Sequence, residues 1–292
     1  MSHFFPLLTF WFNNFTFLLF LAGVPVLVLL GYIFWCDRKH PETLSLLATM
    51  FGLGCLCCLP AIVVELPVDW FLTYSPLPWL NPLISCTLGS SIPEELLKFT
   101  FFMLIIWNHP HFDGFLDGAV YAVFVSLGFA FTENLLYVFG AEWTDGSGMQ
   151  VGILRAFLSI PGHFLFAIVM GYFLSMAKFY KRYQILLIPL GLLGATLVHA
   201  VYNGHLMYIE LLSQGEGMEL FVGLLFLSFL AFEAILWCVG LLMIYHLSCL
   251  ADRYGEPVLM GEYAPLPPTY GGTMPEGFPG AIKLPCEFGQ DG

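Results

Sequence analysis

Hydrophobic residues along this chain fall into long unbroken runs, and the polar residues collect in the short segments between them. Runs long enough to cross a bilayer, about 20 residues, lie at 15–35, 44–65, 117–140, 152–177, 185–208 and 219–246. A seventh run, 93–107, is shorter and carries charged residues near its start. Because every backbone polar group must be satisfied inside lipid, such runs are read as helices. The pattern predicts an all-α polytopic membrane helix bundle with about seven transmembrane helices.

Composition agrees with that pattern and removes the main alternative. Only 10% of the residues are charged and the mean hydropathy is +0.82, well outside a soluble domain, where about a quarter of residues are charged. A net charge of −12 would suit a solvating acidic protein, but 59% hydrophobic residues exclude it. The Lys and Arg residues assign an orientation, since cytoplasmic loops are enriched in them. Arg38 and Lys39, then Lys178, Lys181 and Arg182, then Arg253 and Lys283 follow alternate runs, while 66–92, 142–150 and 209–218 contain none. The N-terminus is therefore expected outside and the C-terminus in the cytoplasm of a multi-pass protein, with a bacterial cytoplasmic (inner) membrane as its location. No basic residue precedes the first run, so the first span is expected to be retained rather than cleaved as a signal peptide. Residues 1–250 form the expected transmembrane domain, and 251–292, rich in Pro and Gly, a flexible cytoplasmic tail. The eight cysteines show neither a disulfide framework nor zinc-type spacing.

Ionisable residues inside apolar runs are costly and usually functional. They are Glu94, Glu95 and Lys98 in 93–107, Glu133 in 117–140, His163 in 152–177, His199 in 185–208 and Glu233 in 219–246. Counted along straight helices at 1.5 Å per residue, all of them except Lys98 fall about 18–24 Å from the cytoplasmic end of their run. Helical faces add direction to that common level. Glu94 and Lys98 are four apart and can pair. Phe129, Glu133 and Tyr137 make one stripe with Asn134 beside it, and Arg155, Ser159 and His163 make another, with Pro161 able to kink the helix. Thr196, His199 and Asn203 make the last. Arg155 lies about 33 Å along its run by the same rise, which puts it at the outer interface as an anchor or headgroup ligand. Taken singly, each histidine could be only a helix-to-helix hydrogen-bond donor and Glu94 with Lys98 only a neutralised pair. Packing alone does not explain so many ionisable groups at one depth.

The set permits hydrolysis of an acyl bond in the membrane. A glutamate can activate water as a general base while histidines and Asn203 stabilise the oxyanion. Adjacent Glu94 and Glu95 point about 100° apart on a helix, so one is expected to hold the water. Glu95 is the better placed, because Glu94 has the i,i+4 reach to Lys98. A metal version is equally allowed, since two histidines and a carboxylate form a ligand set known for catalytic zinc. GxSxG, GxGD and HExxH are all absent.

The order Glu94-Glu95-x-x-Lys98, then GFAFTENLLY, then Pro161-Gly162-His163, then His199 with Asn203 resembles the successive motifs of the PrsW family of intramembrane proteases, within the CAAX-processing and bacteriocin-processing membrane protease group. The resemblance covers about 90–205. It implies a site-1-type endopeptidase that cuts a single-span membrane protein, for which an anti-sigma factor is the family's best-known target. It implies Glu94, Glu95, Glu133, His163 and His199 as catalytic residues, with Lys98, Asn134, Tyr137 and Asn203 supporting. If zinc or another divalent metal takes part, Glu133, His163 and His199 with Glu94 or Glu95 would hold it. The lipid bilayer is an expected partner and nucleic acid is not. A proton-coupled transporter using the same Glu and His residues is the competing reading, although the inverted repeats it would favour are not visible. A third reading, a membrane scaffold held together by these groups, would see only its stability change on Glu→Gln or His→Asn substitution.

Overall fold

The computed structural model describes residues 4–254, so the expected Pro/Gly-rich tail lies outside the described residues from 255 onward. All regular structure among the described residues is helical. The helices are α1 (Phe4–Cys36), α2 (Leu44–Thr73), α3 (Asn81–Ile84), α4 (Ile92–Ile105), α5 (Asp117–Thr144), α6 (Gly148–Phe157), α7 (Ser159–Phe179), α8 (Gln184–Ser213) and α9 (Glu219–Tyr254), with short 3₁₀ turns at Pro78–Leu80 and Lys181–Tyr183. Six segments are long and apolar enough to cross a membrane: Asn14–Cys36, Leu44–Thr73, Asp117–Thr144, Gly148–Phe179, Lys181–Ser213 and Glu219–Arg253. Each corresponds to one of the six long runs in the sequence.

The seventh expected span is not among them, for a geometric reason. Helix α4 has 14 residues, about 21 Å at 1.5 Å per residue, against a hydrocarbon core of about 30 Å. It is joined without a break to α3 by a π-helical stretch, Ser85–Ser91. The chain is thus already helical before Pro93, which occupies the first turn of α4 where a missing N–H is tolerated. The two glutamates therefore sit inside a continuous helical path rather than at a free helix start.

Helices α5 and α7 form the centre. Helix α5 packs along α2 on one side and α7 on the other, α7 packs along α8, and α1, α6 and α9 complete the periphery. Close approach needs small residues. A Cβ on Gly128 would collide with the backbone carbonyl of Phe51 in α2, and one on Gly171 would come within 2.5 Å of Ala119 Cα in α5. These two contacts draw α2, α5 and α7 together and so bring the polar stripes of α5 and α7 face to face. Many outward Leu, Phe and Trp side chains, including Leu27, Val63, Leu104 and Leu242, are exposed, as expected for lipid-facing positions in a bundle.

One end of the bundle carries a separate acidic cluster. Between α1 and α2, Asp37 accepts the Glu42 backbone N–H at 3.2 Å, and Tyr121 of α5 donates to Glu42. At the start of α5, Asp117 accepts backbone N–H groups of Asp113 (3.0 Å) and Gly114 (2.5 Å). Burial, with the charge of Asp117 adding to it, pushes the Asp37 carboxyl up to about 7. Burial also pushes Glu42 up to about 7; the Tyr121 hydrogen bond opposes the rise and Asp37 adds to it. A carboxyl raised in the folded state holds its proton there when the unfolded chain has lost it. The stability from this cluster is therefore present at pH below about 4 and lost as pH rises through about 7. Hydrogen exchange of the 37–43 amides is expected to quicken between about pH 5 and pH 8 beyond the chemical rate, and Asp37→Asn to flatten that dependence.

Candidate active site

Each polar stripe arrives at the centre on its own helix. The π-helical stretch supplies Ser90, α4 supplies Glu94, Glu95 and Lys98, α5 supplies Glu133 and Asn134, α6 supplies Arg155, α7 supplies His163, and α8 supplies His199 and Asn203. Ser90 lies in the π-helical stretch four residues before Glu94, and such stretches are often found at functional sites. Ser91 closes its own end of that stretch by donating to the Cys86 carbonyl at 2.5 Å.

Lys98 is the hub. Its ammonium lies 2.7 Å from Glu95 Oε1, 3.3 Å from Glu94 Oε2 and 3.1 Å from His163 Nδ1. It also sits 4.2 Å above the ring of Phe129. The expected i,i+4 pair of Glu94 with Lys98 is present, and Glu95 at i,i+3 adds a shorter bond, so both acids share the lysine. Glu94, Glu95, Lys98, His163 and His199 are all buried, so the ion pairs stand in a low-dielectric setting where unpaired charge is costly.

The hydrogen-bond partners fix both histidine tautomers. An ammonium can only donate, so His163 Nδ1 accepts from Lys98. His163 Nε2 lies 2.9 Å from Glu133 Oε2, to which it donates. His199 has the opposite arrangement. Its Nδ1 donates to Glu95 Oε1 at 2.9 Å, and its Nε2 accepts from the Asn203 amide at 3.2 Å. Asn203 also donates to Ser90 Oγ at 2.7 Å, and Ser90 donates to Glu94 Oε1 at 3.1 Å. The His199 ring stacks on Phe166 with centroids 4.5 Å apart, and Ser126 ties α5 to α7 by donating to the His163 carbonyl at 2.9 Å.

The remaining expected residues lie at the edge. Asn134 donates to the Ala22 carbonyl of α1 at 3.2 Å and accepts from Arg155 Nε at 2.9 Å. Tyr137 is 55% exposed, with the Arg155 guanidinium 4.2 Å from its ring centre, so it meets the site only through Arg155. Glu233 on α9 is buried with Oε1 unpartnered and makes no hydrogen bond to the cage. Ser90, Phe166 and Arg155 were not assigned to the site from sequence. Phe166 was legible in principle, one turn after His163 on the same face, whereas Ser90 lies in the π-helical stretch, outside the counted runs.

Glu94, Glu95 and His163 each present a ligand atom, all within 4.8 Å of one another, and carboxylates with an imidazole are zinc-type donors. The Lys98 ammonium stands between these three side chains, so the set fits a divalent cation only with that ammonium displaced. Glu95 Oε2 adds a second sign, being buried with no hydrogen-bond partner. Glu133 and His199 reach this set through hydrogen bonds to His163 and Glu95.

Comparisons with known proteins show the family of the chain. A family model described as PrsW family intramembrane metalloprotease matches residues 42–233. The Protease PrsW of Oceanobacillus iheyensis is 36% identical over 183 residues, 62% of this chain and 80% of that protein. The Clostridioides difficile Protease PrsW is 34% identical over 197 residues (65% and 79%), and that of Bacillus subtilis 29% over 192 residues (62% and 79%). No solved structure matches. The matched region carries every member of the polar cage from Ser90 to Asn203, and the chain belongs to the PrsW family of intramembrane metalloproteases.

Proposed function

We propose that this peptidase hydrolyses a peptide bond of a single-span membrane protein, with Glu95 as general base. The observation that carries the assignment is Glu95 Oε2, a buried oxygen without a partner inside a cage of Glu94, Lys98, His163 and His199. A water hydrogen-bonded there would give its proton to Glu95 as it attacks the scissile carbonyl. Lys98, held against both glutamates, would stabilise negative charge developing in the cage through its own charge, since its three protons go to Glu94, Glu95 and His163 and both Asn203 amide protons go to Ser90 and His199. His163 and His199 hold these groups in register through opposite tautomers. Glu94, Glu95 and His163 would hold a divalent ion, one donor atom each, once the Lys98 ammonium now between them had moved aside. When bound, that ion would supply Lewis acidity toward water and carbonyl.

The remaining features follow from the same reading. The 81–105 segment is the seventh membrane crossing, completed by α3 and the π stretch, with the N-terminus outside, the C-terminus in the cytoplasm and the bacterial inner membrane as the location. Residues 1–250 are the protease domain and 251–292 a cytoplasmic tail. An anti-sigma factor is one member of the substrate class, and the bilayer itself is the second partner. A proton-coupled transporter is disfavoured because the Glu and His side chains are gathered into one cage by mutual hydrogen bonds rather than strung across the bundle.

Purified protein reconstituted with a single-span substrate is expected to cut it. Chelation with removal of bound metal should abolish cutting, and zinc or cobalt should restore it. Full activity in a demonstrably metal-free sample would eliminate the metal role, and pH-gradient-driven solute uptake without proteolysis would eliminate the peptidase reading.

A further inference from the structure

We infer that Arg155 is a positioning residue, which holds Glu133 as an ionised acceptor against His163 Nε2 and so, with Lys98 on Nδ1, locks the orientation of the His163 ring. This rests on the reading of Glu133 and His163 as site residues. Straight-helix counting makes Arg155 an outer-interface anchor or headgroup ligand, whereas in the structure its guanidinium is held by Glu133 and Asn134. Helix α6 ends at Phe157 and α7 begins at Ser159, with Pro161 in the first turn of α7. A proline ring clashes with the carbonyl four residues before it, here Phe157, and the axis breaks there. The break lets α6 lean onto α5, and Arg155 turns inward instead of continuing outward along the α7 axis.

Its side chain is 15% exposed, and Nη2 lies 2.8 Å from Glu133 Oε2 as an ion pair. Nε donates to Asn134 Oδ1 at 2.9 Å, and the guanidinium plane covers the Tyr137 ring at 4.2 Å. The same Glu133 oxygen accepts from His163 Nε2 at 2.9 Å. Arginine keeps its charge throughout the ordinary pH range, so Glu133 faces a permanent cation on one side. A carboxylate held this way is an acceptor only, and the imidazole must turn a donor toward it. His163 therefore keeps its proton on Nε2 and presents the Nδ1 lone pair to the cage of Glu94, Glu95 and Lys98. A partner that orients a histidine from behind is the usual device for setting which nitrogen reacts or ligates. The Asn134 contact adds a second grip on the guanidinium, and Asn134 is itself held by the Ala22 carbonyl of α1. The peripheral helix α1 thereby braces the orientation of a central histidine.

The test uses full-length protein with Arg155→Met, which keeps the stem but removes the fork, and Arg155→Lys, which restores the charge without it. Cleavage of a single-span substrate by Arg155→Met is expected to fall about 10–100-fold in kcat with little change in KM, the range seen when outer partners of site histidines are removed. Arg155→Lys should recover part of that loss. Nitrogen-15 NMR of histidine-labelled protein should show His163 as the Nε2–H form in both proteins, because Lys98 still donates to Nδ1, with the Nε2–H proton signal moved upfield in Arg155→Met as its bond to Glu133 loosens. Melting temperature and monodispersity are recorded for each variant. Arg155→Met with natural kcat and an unchanged Nε2–H signal overturns the inference. Reduced kcat with an unchanged Nε2–H signal and a lowered melting temperature overturns it as well, leaving Arg155 a structural residue only. If the natural protein cleaves nothing, the peptidase reading fails, while the NMR measurement still decides whether Arg155 positions His163.

Discussion

Glu95→Gln is expected to lower substrate cleavage by about 10³-fold, the middle of the range for loss of a general base, while leaving the folded protein intact. The amide matches the carboxylate in shape, so Lys98 keeps an oxygen acceptor and the helix contacts survive. What disappears is the ability to take a proton from water, and with it one of the two negative charges facing Lys98. Glu95 is fully buried between Lys98 and His199 and has one oxygen unpartnered, whereas both Glu94 oxygens already have donors, Ser90 and Lys98. Glu94→Gln is accordingly expected to act more weakly than Glu95→Gln. Initial rates on a purified single-span substrate, with melting temperature as the control, separate the two. Natural turnover in Glu95→Gln would remove it from the chemistry, and a larger loss in Glu94→Gln would exchange their roles.

Lys98→Met is expected to give the largest loss of stability of any single substitution in the site, about 3–5 kcal/mol, the usual cost of removing one partner from a buried ion pair. Methionine retains most of the stem volume, so the effect isolates the charge. Without the ammonium, Glu94 and Glu95 face each other in a buried site, His163 Nδ1 loses its donor, and the face of Phe129 loses its cation. Combining Lys98→Met with Glu95→Gln should recover part of the loss, because an apolar and a neutral partner leave less charge unbalanced. Unfolding of the detergent-solubilised protein measures both. A loss of less than about 1 kcal/mol, the scale of a solvent-exposed pair, would show that the cage is open to water.

The spans were legible because lipid imposes one requirement on every residue of a run. A lipid-facing helix must be apolar throughout and satisfy its own backbone, so length and hydropathy alone mark it. The depth argument worked for the same reason, since nearly straight helices carry sequence distance into height. It carried no side-chain direction for Arg155, which turns to Glu133 and Asn134 beyond the break at Leu158. Nor does the sequence show the helical lead-in before Pro93, because a π-helical stretch has no separate hydrophobic signature. The pairing of Lys98 is a finer case. Spacing allowed both i,i+3 and i,i+4, and the side-chain placement in the folded cage made Glu95 the closer partner.

By itself, then, the sequence determined an all-helical membrane protein, the helices that carry ionisable groups and the family motifs among them. Those are properties of single segments, set by local composition and by the 3.6-residue period. Only the tertiary structure decided that Ser90 and Arg155 belong to the site, that Lys98 bridges both glutamates, that the two histidines hold opposite tautomers and that Glu233 stands apart. Each of these depends on the rotation and closeness of helices that are far apart in sequence. Glycine contacts such as Gly128 on Phe51 and Gly171 on Ala119 fix that closeness, through packing that no single segment encodes.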